Sequence, residues 1–182
     1  MGSRRRGPGL GMEQTSVVRA ALVVALAALL EAVLGPYLTF GWISPKLMVL
    51  GIIFAVAPLR DLQAVLLGFF GGVLFDALTG GLFGVGALSG LLAGILSARA
   101  GDVRPKGAER LLLAQVVAIS VAAYDLTYLT ALNLAGLAAP AFGEYAVAGV
   151  IPDAALNALL AYFVGGWLLR IGRDKTTAWE DR

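Results

Sequence analysis

Residues 68–94 read GFFGGVLFDALTGGLFGVGALSGLLAG. Two glycine-rich apolar segments meet at Thr79-Gly80-Gly81, and Asp76 is the one ionisable group in the stretch. Gly68, Gly72 and Asp76 recur every four residues, so on a helix they share a face. Gly86, Gly90 and Gly94 repeat that spacing on the second segment. Small residues so placed let two backbones approach closely in lipid, where no hydrophobic force drives helices together. The stretch predicts a membrane hairpin packed along two glycine stripes. Packing within the chain is the expected use of Gly68, Gly72, Gly86, Gly90 and Gly94, and a partner helix is the alternative.

The whole chain agrees with a membrane setting. Of 182 residues 59% are hydrophobic and 14% charged, against about 25% charged in soluble domains. Mean hydropathy is +0.83. Histidine and cysteine are both absent, which removes imidazole bases, thiolate nucleophiles, disulfides and the usual zinc ligands. No nucleophile, phosphate cradle or metal cluster accompanies the acidic residues. The expectation is a protein that is not an enzyme, needs no cofactor or metal and binds no nucleic acid.

A bilayer core about 30 Å thick takes roughly 20 apolar residues per helix. On that basis the chain divides into six spans, at about 17–34, 42–59, 62–78, 82–98, 111–132 and 147–171. The second, bracketed by Pro45 and Pro58, is the shortest in effect. Residues 1–16 read as a flexible cytoplasmic leader, with Met12 as an alternative start, and residues 172–182 as a cytoplasmic tail. Basic residues favour the cytoplasmic side in short loops. With six spans and both termini in the cytoplasm, all of the 14 Lys and Arg except Lys46 fall on that side. The fold class is therefore an all-α integral membrane protein, a six-transmembrane-helix bundle without soluble domains.

Carboxylates inside a membrane are costly and are candidates for function. Asp76 is 16 residues past Arg60, Asp125 is 15 past Arg110, and Asp153 is 17 before Arg170. At 1.5 Å per residue all three sit about 22 to 26 Å from their basic anchors, in the outer half of the bilayer. Glu31, 12 past Arg19, is at about 18 Å. Each has a plain structural alternative. Asp153 follows Pro152 and is placed to cap its own helix, with Asn157 one turn on along the same face. Asp76 lies near the unfavourable C-terminal end of its helix and needs a partner or water. Asp125 has Tyr128 within reach, and Glu31 is able to snorkel outward. Lys46 is the natural counter-charge for this layer.

The stretch from Gly68 to Leu88 also resembles the hallmark of the rod shape-determining protein MreD family. The matching elements are Gly71-Gly72-Val73-Leu74-Phe75-Asp76, Gly80-Gly81 and Phe83-Gly84-Val85-Gly86-Ala87-Leu88, with Pro36, Pro45 and Leu47 upstream. The chain departs from the pattern at Lys46 and Gly86. The resemblance implies a non-enzymatic scaffold of the bacterial elongation complex in the inner (cytoplasmic) membrane. Its implied partners are the transmembrane segment of MreC and, around it, RodA, the penicillin-binding transpeptidase and MreB, in support of lateral peptidoglycan synthesis and cell shape. It also implies a fold similar to the substrate-binding subunits of energy-coupling-factor transporters. That likeness and the outer carboxylates give the alternative expectation: a small-solute-binding subunit of a vitamin-type transporter, with its site in the outer half of the bundle.

Overall fold

The computed structural model describes residues 10–56, 59–102, 108–137 and 140–180. Its helices are α1 (Leu10–Leu38), α2 (Leu47–Val56), α3 (Asp61–Thr79), α4 (Val85–Asp102), α5 (Glu109–Leu134), the short α6 (Phe142–Tyr145) and α7 (Ile151–Glu180). A π-helical turn, Ala146–Val150, joins α6 to α7. Among the described residues four helical stretches are long and apolar enough to cross a membrane: Ser16–Leu38, Asp61–Thr79, Arg110–Leu134 and Phe142–Gly165. The apolar lengths of α2 and α4, Leu47–Val56 and Val85–Ala100, are shorter.

The helix expected over 42–59 is therefore corrected. Its first residues form a reversal in which Phe40 and Ile43 exchange backbone hydrogen bonds, with Gly41 at φ +65°. Pro45 has no N–H and disfavours a helical conformation at the residue before it. The chain thus runs through Ser44 and Lys46 without regular structure, and the helix starts at Leu47. Ten residues rise only about 15 Å, half a bilayer core.

This half-length helix is the centre of the molecule. Its sequence, LMVLGIIFAV, carries no polar side chain, and a helix apolar all round is a buried one. Met48, Val49, Leu50, Ile52, Ile53 and Val56 are all buried. Around α2, helices α1, α3, α4, α5 and α7 pack as successive neighbours, and each of them also touches α2. Ser97 on α4 reaches in to donate a hydrogen bond to the Ile53 carbonyl (3.1 Å). Ser97→Ala is expected to lower stability by about 1 kcal/mol, read from reversible unfolding in mixed micelles.

The most extensive pairing is α3 with α4, and the glycine stripes explain it. A methyl on Gly68 would strike the Gly90 carbonyl, one on Gly72 the Gly86 carbonyl, and one on Gly94 the Ala64 carbonyl. The two stripes thus face each other within one chain in antiparallel register, backbone against backbone. Gly71 gives Val24 of α1 room on α3, and Gly51 does the same for Ala27 on α2. Gly94→Ala, whose methyl would lie 2.6 Å from the Ala64 oxygen, is expected to cost about 1 to 3 kcal/mol. Gly143→Ala, with nothing within 4 Å, is the neutral control in the same unfolding assay.

Two further boundaries differ from expectation. Leu10–Ser16, placed in the leader, are already helical, and α7 runs through the expected tail to Glu180. The last helix is continuous from Phe142, ahead of the start expected at about 147, and it runs through Pro152 without a break. Proline inside a helix lacks its N–H and crowds the carbonyl four residues back. The π turn immediately before Pro152 widens the backbone where that crowding would fall. The loop after α5 closes with Gly136 at φ +67°, the Gly136 N–H on the Asn133 carbonyl and the Leu137 N–H on the Leu132 carbonyl.

Candidate functional site

Helix starts leave backbone N–H groups without intrahelical partners. Inside a bilayer no water is at hand to satisfy them, so the protein itself must supply acceptors. Two of the helices begin partway along the bundle, α2 at Leu47 and α4 at Val85. Asp76, Glu31 and Asp153 lie at these two starts.

Asp76 serves α4. Its Oδ2 accepts from the Gly84 N–H (2.8 Å) and the Ala87 N–H (3.1 Å), and its Oδ1 from the Gly86 N–H (2.9 Å). The side chain is buried. The C-terminal end of its own helix is unfavourable for a negative charge, and the N-terminus of α4 across the turn offsets that. Glycine at positions 84 and 86 keeps the backbone clear for the carboxylate. Gly84 holds φ +103°, and a methyl on Gly86 would press on Asp76 Oδ1.

Three residues from two other helices serve the start of α2. The Ser44 N–H donates to Asp153 Oδ1 (2.9 Å), the Lys46 N–H to Asn157 Oδ1 (2.7 Å), and the Met48 N–H to Glu31 Oε2 (2.6 Å). Asn157 also donates from Nδ2 to the Ser44 carbonyl (3.0 Å) and to the Asp153 carbonyl (2.8 Å). Asp153 and Asn157, one turn apart on α7, thus clamp the irregular Ser44–Lys46 segment. The expectation that Asp153 caps its own helix is corrected: it lies inside a continuous helix and reaches Ser44 instead. Glu31 is likewise buried on α1 rather than extended to the surface.

Lys46 turns its side chain inward. Its Nζ lies 3.2 Å from Asp153 Oδ2 and 3.7 Å from Asp125 Oδ1. It donates to Ser44 Oγ (2.8 Å) and sits 4.9 Å from the centre of the Tyr124 ring. One ammonium thus stands between two carboxylates from α5 and α7.

Beside this cluster a cavity of about 480 Å³ is bordered by Lys46, Asp76, Asp125, Trp42 and the tyrosines 124, 128 and 145. Gly41, Gly81 and Pro140, from three different loops, also border it. A smaller space of about 290 Å³ lies next to Glu31. Among the described residues no three His, Cys, Asp or Glu side chains are grouped to hold a metal ion.

The sequence placed the acidic residues at one depth but not their partners. The backbone donors that the carboxylates accept from lie from 8 to 109 residues away. The available signal was the conjunction of Pro45 with a ten-residue apolar run, which marks a helix that starts late.

A family model described as rod shape-determining protein MreD matches residues 13–170. No match was found among curated proteins or among solved structures.

Proposed function

The chain belongs to the MreD family of rod shape-determining proteins, and from that premise we propose that it is a non-enzymatic scaffold that binds the transmembrane helix of MreC. The observation that carries the reading is the family match over residues 13–170, nearly all of the helical bundle. The geometry supports it in two ways. Asp76, Asp153, Asn157 and Glu31 hold backbone, which is a structural use of polar groups. The long helices turn large apolar side chains outward, among them Leu22, Leu26, Phe70, Ile119, Leu159 and Phe163, a surface suited to lipid and to a partner helix.

The charges orient this scaffold. Arg19, Arg60, Arg99 and Arg110 lie toward the end of the bundle opposite the capped helix starts. Basic residues favour the cytoplasm, so that end faces inward in the cytoplasmic membrane, both termini with it, and the capped end faces out. MreB then meets the basic end, while RodA and its transpeptidase share the membrane with MreC in lateral wall synthesis.

Co-expression with MreC and extraction in a mild detergent tests the proposal. Stoichiometric recovery of MreC with this chain is the expected result. Recovery no better than with an unrelated multi-pass protein would overturn it.

A further inference from the structure

The end of the bundle at which α2 and α4 start is built the wrong way round for a surface in water. Its segments are 37–46, 79–85, 134–137 and 140–147, and among these described residues Lys46 and Glu144 are the only charged side chains. Lys46 is turned inward onto Asp125 and Asp153. The hydroxyls of Thr39 and Thr79 donate back to the carbonyls of Gly35 on α1 and Phe75 on α3, at 2.7 and 2.9 Å. The large apolar side chains point the other way: Phe40, Phe83, Leu134 and Phe142 are 66% to 84% exposed. Loops that face water are ordinarily polar, and a group of exposed apolar tips marks an interaction surface.

The helices leading to these tips identify what covers them. On α1, Leu30, Leu34 and Leu38 recur every four residues and are exposed, and on α3 Phe70, Leu74 and Leu78 do the same. The two lipid-facing rows lead directly to Phe40 and Phe83. Depth agrees with this. Leu38 is 19 residues past Arg19 and Thr79 is 19 past Arg60, a rise of about 28 Å on each helix. The tips therefore fall at the limit of a hydrocarbon core about 30 Å thick, inside the total of about 40 to 45 Å that includes the headgroups. Trp42 and Tyr145 meet edge to face beside them, ring centres 5.6 Å apart, and both are residue types that gather at the membrane interface. Irregular backbone does not face lipid within the hydrocarbon itself. The loops thus belong among the headgroups, where water still reaches their N–H and C=O groups.

We infer that this end of the bundle docks into the phospholipid headgroup layer of one leaflet, with Phe40, Phe83, Leu134 and Phe142 set down on the upper acyl chains. The membrane then covers the loops that hold the capped helix starts, and these four side chains leave the aqueous phase. Docking of this kind depends neither on which leaflet is involved nor on MreC.

The sequence has no cysteine, so single labels can be placed without background. Phe40→Cys, Phe83→Cys and Phe142→Cys, each in the full chain and carrying a nitroxide, are reconstituted without other proteins in nanodiscs of phosphatidylethanolamine and phosphatidylglycerol. Power saturation compares collisions with oxygen, which concentrates among acyl chains, and with a nickel chelate, which stays in water. Ile119→Cys, at an exposed position on α5 nine residues past Arg110, is the mid-membrane reference. Oxygen is expected to outweigh nickel at every tip, by less than at Ile119→Cys. Leu134→Cys replaces any of the three that does not fold. A tip at which nickel outweighs oxygen stands in water, and a tip from which both reagents are excluded is packed against a second copy of the chain. Either result at two of the tips would overturn the docking.

Discussion

Asp76→Ala is expected to destabilise the bundle by about 3 to 9 kcal/mol. The reason is a count of donors. Gly84, Gly86 and Ala87 each present an N–H to Asp76, and each would lose its acceptor where no water replaces it. A buried group left unsatisfied costs about 1 to 3 kcal/mol. Asp76→Asn keeps one oxygen as an acceptor and is expected to recover part of the loss. Asp76→Leu fills the volume without an acceptor and is expected to behave like alanine, and to reduce the MreC recovered with the chain. Unfolding in mixed micelles measures the first effect and co-purification the second. A loss below about 1 kcal/mol would mean that water reaches the start of α4.

Lys46→Met is expected to cost about 3 to 5 kcal/mol, because breaking a buried ion pair leaves charge without compensation. Here the residue removed stands between two carboxylates, Asp125 at 3.7 Å and Asp153 at 3.2 Å, both almost wholly buried. The account further requires a rescue. Adding Asp125→Asn to Lys46→Met removes one of the two stranded charges while leaving Asp153 Oδ1 on the Ser44 N–H. The double variant is therefore expected to be more stable than Lys46→Met alone, and a double-mutant cycle reads the coupling. Additive losses would show that Lys46 acts through packing and not through charge.

The helix contacts were largely legible in the sequence. Gly68 and Gly72, like Gly86, Gly90 and Gly94, recur every four residues, and that spacing survives any tertiary arrangement. That Asp76, Asp125 and Asp153 belong to one level of the bundle was legible because rise per residue is fixed: Lys46 joins Asp125 to Asp153, and Asp76 borders the same cavity as Asp125. The second helix was not. Hydropathy counts apolar residues from Trp42 to Leu59 without asking whether the backbone among them is helical, and Pro45 decides that question. Nor were the partners of the carboxylates legible. Asp153 and Ser44 are 109 residues apart, and only the packing of α7 against α2 brings them together. Pro152 misled in the opposite direction, because a π turn absorbs it and the helix continues.

The central claim is that carboxylates from neighbouring helices cap two helix starts within the membrane. Hydrogen–deuterium exchange of the full chain in nanodiscs, resolved to single amides, tests it most directly. The account predicts that Gly84, Gly86 and Ala87 are protected in the parent protein and exchange much faster in Asp76→Ala, while Ser44, Lys46 and Met48 stay protected in both. Exchange of Gly84, Gly86 and Ala87 in the parent as fast as that of Gly81 in the open turn would contradict it.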